Sequence, residues 1–438
     1  MKFDESMKVF KRAIEVIPMG TSTYSRSPNH FVIGKSPLYI KHGKGSKLYD
    51  VDGNEFVDYS MSLTMVNLGY ANPEVNEAAK KAIDEGLIYT LSCPEESLLA
   101  KKIIKHVPCA EMVRFFKNGS DSCEGAAKLA RLYTNKSKIL TISSYHGFHD
   151  WFVASMQWNK GIPKILSGFV LKCDYNDIDC IKKTIKENKN DLSAVMMEPV
   201  IKYEPNEGFL QTVRELTEEN DMVLIFDEMK TGFRLSIGGA QKYYNVTPDL
   251  AIFGKGIANG FPISALAGKK YLMEQLEDEN VFLSGSYATE KSSIFASLKT
   301  IEILERKDTI KHIWETGEML KKGIDNLITK HNLNDVLKIV GLAPMTHIIF
   351  SDQKNATSNE LKSFIQQECV KRGFLFVGYH HTSLAHTKED IKFTLDVYDE
   401  VLPLLKKAID ENNLREKIKG RVISAFEVRK LKEIEVQT

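Results

Sequence analysis

Residues 248–268 read PDLAIFGKGIANGFPISALAG. The apolar run Leu250-Ala251-Ile252-Phe253 gives way at once to Gly254, Lys255 and Gly256, with Gly260 four residues on. A run of that kind ending in glycines reads as a buried strand emptying into a tight loop. It leaves Lys255 at the lip of the core, where desolvation disfavours the ammonium form and lowers the pKa. That is the condition an amine needs if it is to form a Schiff base with a carbonyl. A lone lysine in a glycine turn more often points at water, so the role of Lys255 rests on what surrounds it.

Similar apolar runs occur at 112–116, 139–142, 169–171, 194–197, 223–226 and 264–267, mostly separated by segments of helical length and periodicity. This alternation implies an α/β fold with a mostly parallel sheet covered on both faces, and ligands in such sheets sit at the carboxyl ends of the strands. After 112–116 comes Lys117-Asn118-Gly119-Ser120, opening a helix. Gly119 and Ser120 there make a natural phosphate cradle; the plainer alternative is a helix N-cap with Ser120 satisfying the first turn. After 139–142 comes Tyr145, a flat ring suited to stacking on an aromatic ligand, with His146 and His149 beside it but no further ligand set spaced for a metal. After 194–197 comes Glu198, and after 223–226 comes Asp227. An acid directly behind a buried strand needs a cation or hydrogen-bond donor, which an internal salt bridge or a protonated ring nitrogen would supply. A lysine, an anion cradle, a ring stacker and two acids at five strand ends are the set that pyridoxal phosphate (PLP) requires.

At 438 residues, the chain is long enough for more than one domain. Residues 1–60 hold an amphipathic helix over 7–17 closed by Pro18, an irregular loop and a hairpin around Asp52-Gly53, and join a small domain. Residues 61–310 form the large cofactor-binding domain. Residues 311–413 form an α+β small domain with strands at 336–340, 346–350 and 374–377 and helices near 358–372 and 388–411. The stretch 288–331 is helical, and 414–438 is a charged tail. With 59 Lys+Arg against 58 Asp+Glu there is no net field to recruit nucleic acid or a membrane surface. No run is long enough to span a membrane, and the N-terminus lacks the apolar core of a signal peptide. The six cysteines are scattered, so they read as reduced cytoplasmic thiols, neither disulfide frame nor zinc site.

With those residues in view, the chain resembles the fold-type-I, class III PLP-dependent aminotransferases, within them the glutamate-1-semialdehyde aminomutase-like branch. The most specific matches are LIFDEMKTGFR at 224–234, GGAQ at 238–241 and PDLAIFGKGIANGFP at 248–262. The similarity extends from Ile17-Pro18 to Ser383-Leu384-Ala385-His386-Thr387 and the helix after it. The resemblance implies that Lys255 is the Schiff-base lysine and proton shuttle and that Asp227 partners the pyridine nitrogen. It implies that Tyr145 stacks on one face of the ring, that Met229 packs the other, and that Gly119 and Ser120 hold the phosphate. It also implies a homodimer with shared active sites, in which Ser286, or alternatively Thr289, reaches the phosphate of the neighbouring subunit.

The expected activity is ping-pong amino transfer between a small amine donor and a carbonyl acceptor, with aminomutase or racemase chemistry on the same machinery as the alternative. Arg26 falls on the arginine that the aminomutase turns toward the substrate carboxylate. Leu63 replaces the aromatic of the substrate loop, and Gly378-Tyr379-His380-His381 replaces the region of a gating acid. The acceptor pocket is expected to use Arg26, Tyr145, Glu198, Tyr287, His380 and His381, a set of histidines and hydroxyls suited to a hydroxylated or sugar-like carbonyl compound.

Overall fold

In the computed structural model, which describes residues 1–306 and 308–424, seven strands form one sheet. In chain order they are β1 (Met112–Phe116), β2 (Lys138–Ile142), β3 (Val170–Cys173), β4 (Leu192–Met197), β5 (Val223–Asp227), β6 (Leu250–Phe253) and β7 (Ser264–Gly268). Their spatial order is β1-β7-β6-β5-β4-β2-β3. β7 runs antiparallel to both neighbours and every other pairing is parallel. Every residue of β4, β5, β6 and β7 is buried, the pattern of strands covered on both faces. The side chains divide accordingly. Ala194, Met196, Ile225 and Ile252 join one core with the helix Gly119–Thr134, and Val195, Met197, Leu224 and Phe226 join another with the helices Ile178–Asn188 and Phe209–Glu218. At roughly 1.5–3 kcal/mol for each large apolar side chain fully buried, these two layers hold the strand ends in register.

The chain divides into two units. One comprises Met1–Met61, Gly69–Ala71 and the chain from His312; the other comprises Ser62–Leu68 and Asn72–Lys311 and contains the seven-stranded sheet. In the first unit Ile40–Lys44, Lys47–Asp50 and Glu55–Asp58 form an antiparallel meander with turns at Gly45 and Gly53, and Phe374–Leu375 adds in parallel to the third. A second sheet joins Leu337–Val340, Met345–Phe350 and Tyr379–His381, all antiparallel.

Three expectations change. The strand expected over 374–377 stops at Leu375, because Gly378 takes φ +98° and the chain turns into the separate strand Tyr379–His381. The helical stretch over 288–331 is two helices, Lys291–Leu304 and Thr309–Lys330, where the Thr309 hydroxyl donates to the Ile303 carbonyl at 2.8 Å. The cysteines are not all free thiols: Cys173, at the end of β3, is disulfide-bonded to Cys180. The turn from β3 into the helix Ile178–Asn188 brings their Cα atoms to 5.8 Å, a return that spacing along the chain does not reveal. Of the tail, 425–438 lies outside the described residues; its beginning, Leu414–Lys417, is one helical turn.

Behind β5, buried Glu228 spends its carboxylate on the chain itself. It accepts from Ala240 N–H at 2.7 Å, Gln241 N–H at 2.9 Å and the Thr231 hydroxyl at 2.5 Å. The GGAQ segment is thereby tied to the sheet. Gly239 is required there, because its φ is +79° and a Cβ would stand 2.6 Å from both Glu228 oxygens. Gly239→Ala is expected to destabilise the protein by about 2–3 kcal/mol through strain and displacement of a buried carboxylate. Chemical denaturation reads this as a lower midpoint.

Candidate active site

The left-handed turn after β6 creates the site. Gly254 is extended, Lys255 takes φ +47°, and residues Lys255–Ala258 form a single 3₁₀ turn ending at Asn259, also left-handed. A lysine with positive φ is strained by order of 1–3 kcal/mol, and such strain gathers at functional sites. Asn67 packs so close to the turn that a Cβ on Gly256 would stand 2.3 Å from its amide nitrogen; that amide donates to the Phe233 carbonyl at 2.9 Å and its oxygen accepts from Arg234 Nη2 at 2.5 Å. Asn259 closes the far end by accepting from Leu68 N–H at 2.9 Å. Burial lowers the Lys255 amine to about 8 from the ordinary 10.5, with the Lys230 charge adding to the effect and Glu198 and Asp227 opposing it.

Asp227 ends β5, one strand over, with its Cα paired to Ile252 in β6. Its carboxylate accepts from His146 Nδ1 at 2.9 Å and from Met229 N–H at 3.1 Å. Burial by itself would raise this carboxyl, but the His146 hydrogen bond and charge, the Met229 N–H and the Lys255 charge outweigh it and hold Asp227 below the usual range. The Cys123 thiol also points at Asp227, 3.8 Å away, and is pushed well up by burial and by the Asp227 charge. Cys123, His146 and Asp227 bring ligand atoms within 4.8 Å of one another, yet a thiol kept protonated is a poor metal ligand. The geometry suits a carboxylate steadied from behind to meet a ring N–H.

Met229 lies across the floor. Its methyl would come within 2.8 Å of a Cβ at Gly119 and 2.6 Å of one at Gly254, so both positions need glycine for the thioether to pass. Gly119 and Ser120 open the helix Gly119–Thr134. The N-cap is Asn118, whose side chain accepts from Ser120 N–H at 2.9 Å and Asp121 N–H at 3.2 Å. This corrects the expectation of Ser120 as the cap; the Ser120 hydroxyl instead accepts from Phe148 N–H at 3.2 Å. Tyr145 follows β2 and is 55% exposed. Glu198 follows β4, buried, and pairs with Lys230 at 2.5 Å. Ser286, Tyr287 and Thr289 lie in a separate segment, with Ser286 and Tyr287 exposed.

The remaining expected residues belong to the other unit. Arg26 is exposed, at the end of a 3₁₀ turn. His380 is fully enclosed, with Nε2 2.9 Å from the Tyr398 hydroxyl and Nδ1 3.3 Å from that of Thr346, and burial pushes it down to about 3, helped by His347 and His386. Both its nitrogens are thus spent on the core. His381 is buried with Nδ1 3.3 Å from the Ser60 carbonyl. Sequence reading gave no role to His146, Lys230 or Asn67. His146 carried a signal, being one residue past a strand-end tyrosine, but the identity of its partner is a matter of sheet order.

The chain matches the Aminotransferase class-III family model over residues 32–409 and belongs to that family. It is 34% identical over 418 residues to the 3-aminobutyryl-CoA aminotransferase of Cloacimonas acidaminovorans, covering 93% of this chain and 99% of that protein. It is 35% identical over 431 residues to the glutamate-1-semialdehyde 2,1-aminomutase of Methanosphaera stadtmanae, covering 93% and 100%. Among solved structures, the FumI protein of Sphingopyxis sp. MTA144, determined in a PLP form, superimposes with a TM-score of 0.86 at 26% identity over 93% of this chain and 98% of that one. The fold is that of the fold-type-I PLP transferases, and the chain is a PLP-dependent enzyme of the class III aminotransferase family. The residues present fit the cofactor: a buried anionic carboxylate with a donor behind it, a buried amine of lowered pKa, and a glycine-floored helix start.

The Lys255 shift predicts a pH dependence for the cofactor-free protein. Between about pH 8 and 10.5 the unfolded chain keeps the proton on this amine and the folded chain has released it, so the Lys255 contribution makes stability rise with pH across that window. Denaturation midpoints of wild type and Lys255→Met measured from pH 7.5 to 10.5 are expected to converge as pH increases, with the wild type gaining.

Proposed function

We propose that the protein transfers an amino group from a small amine donor to a separate carbonyl acceptor, with Lys255 Nζ as the proton-carrying base. The observation that carries this reading is the buried Lys255 amine, held near pKa 8, one strand from an anionic Asp227. PLP, when bound, supplies an aldehyde for amines to link to and a ring that accepts the electron pair left by a departing proton. Lys255 Nζ, biased toward its neutral form by burial, would take the substrate α-proton and return it to the carbon that came from the cofactor's aldehyde. Asp227 holds a proton at the ring nitrogen, and His146 keeps Asp227 from swinging. Tyr145 and Met229 cover the two ring faces, and Gly119 and Ser120 receive the phosphate.

Substrate choice is assigned to Glu198 and Tyr287, in the unit that bears Lys255. His380 takes no part, because its nitrogens are committed to Tyr398 and Thr346. Hydroxyl-bearing carbonyl compounds are the acceptors this set favours. The name of the Cloacimonas relative adds 3-aminobutyryl-CoA to the donors worth assaying. Aminomutase chemistry is the second reading, supported by the relatives of that name.

The active unit is a homodimer in which Ser286 or Thr289 completes the neighbour's phosphate site. Leu91 and Phe282 are 81% and 80% exposed and Tyr287 is 65% exposed, side chains that a neighbouring subunit would cover. No helix among the described residues is long and apolar enough to cross a membrane, and the setting we propose is the cytoplasm. Sedimentation equilibrium is expected to give twice the 49.6 kDa chain mass; a monomer that retains full activity refutes the shared site.

Purified protein is expected to show near-visible absorbance that an amine donor bleaches and a keto acid restores. Lys255→Ala is expected to lose that band and to reduce amino transfer by more than about a thousandfold. Isomerisation with no second substrate and no released keto product would overturn the transaminase reading in favour of the aminomutase.

A further inference from the structure

We propose that Lys117 is a positioning residue for the neighbouring subunit's cofactor site, acting through Glu290 to aim the segment 284–289 that carries Ser286 and Thr289. The inference rests on the shared-site homodimer proposed above and names what holds the shared segment. Ser284 to Tyr287 are exposed, and a Cβ on Gly285 would meet nothing within 4 Å. Two turn contacts shape the segment: Ala288 N–H donates to the Gly285 carbonyl at 3.0 Å and Glu290 N–H to the Tyr287 carbonyl at 3.2 Å. Such local bonds fix its curl and leave its direction to its two ends.

Both ends are held by β1 and the helix it feeds. Before the segment, Arg114 Nη2 donates to the Leu283 carbonyl at 2.8 Å and Lys128 Nζ to the Phe282 carbonyl at 2.9 Å. After it, Lys117, between β1 and the helix Gly119–Thr134, pairs with Glu290 at 3.0 Å. The same ammonium donates to the Pro262 carbonyl at 3.0 Å and the Ser293 hydroxyl at 3.3 Å, so all three of its donors are occupied. One side chain thus joins the strand end that opens onto Gly119 and Ser120, the loop that follows Lys255 and the base of the segment offered to the neighbour.

The side chains of Lys117 and Glu290 are 22% and 12% exposed, and a pair this far withdrawn from water costs more to break than a surface pair. Burial would raise the Glu290 carboxyl, but hydrogen bonds from Ser292, Ser293 and Lys117 outweigh it and hold it at about 2. Glu290 also caps the helix Lys291–Leu304, accepting from Ser292 N–H at 2.6 Å and Ser293 N–H at 3.3 Å. Lys291 is fastened independently, its N–H to the Leu87 carbonyl at 2.9 Å and its ammonium to Glu85. Removing the Lys117 charge therefore loosens the end of the segment and leaves the helix start in place.

The test titrates cofactor-free protein with PLP and reads the near-visible band, which requires Lys255. Lys117→Met is expected to bind PLP at least about tenfold more weakly than wild type, and Lys117→Arg within about threefold of it. The deciding sample is a mixed dimer of Lys117→Met with Lys255→Ala. Only its Lys117→Met subunit can give the band, and the segment offered to that subunit comes from the chain with Lys117 intact. Affinity is expected to return to within about threefold of wild type. Glu290→Gln, which keeps an acceptor for the helix cap, is expected to behave as Lys117→Met does, alone and in the mixed dimer. A mixed dimer that stays as weak as Lys117→Met places the effect within one subunit and overturns the inference while the shared site stands. Equal PLP affinity in wild type and Lys117→Met overturns it too. A fully active monomer refutes the shared site itself, and this inference with it.

Discussion

An amine and a carboxylate are both taken out of water at the ends of two adjacent parallel strands, and much of the large unit is arranged to make that tolerable. A buried ion costs several kcal/mol after relaxation, so neither Lys255 nor Asp227 can be placed by the sheet alone. Asp227 is supported by His146 and the Met229 N–H. Lys255 has no comparable set and responds by losing proton affinity. The asymmetry is the useful feature: one group stays charged to hold a proton, and the other is readily neutral and able to carry one.

A second set of buried polar groups keeps these two in position. Glu228 ties the segment 239–241 to the end of β5, and Asn67 bonds Phe233 and Arg234 while packing against Gly256 in the turn that bears Lys255. Arg234 is itself fully enclosed, with burial pulling it down to about 9. These groups need not touch a substrate. They hold a lysine in a left-handed conformation that its own backbone preference opposes.

In the other unit, several buried polar side chains are partnered within the core. His380, Tyr398, Thr346, Tyr59 and His386 satisfy or stack on one another in the core.

Much of the site was legible in the sequence because its parts are local. The strand run 250–253 with its glycine turn, the acid behind 223–226 and the Asn-Gly-Ser helix start each announce themselves within a few residues, and the strand and helix alternation places them at one edge of a sheet. What required the tertiary structure was every pairing across elements. His146 meets Asp227 because β2 and β5 are separated only by β4, a fact of sheet order. Cys173 finds Cys180 because β3 turns back at its end. His380 reads as a pocket residue until its strand is seen to face Tyr398. Local chemistry is written residue by residue and determines which strand ends carry the amine, the acid and the cradle. Whether a polar side chain is paired depends on distant groups brought together by folding, and that only the tertiary structure decided.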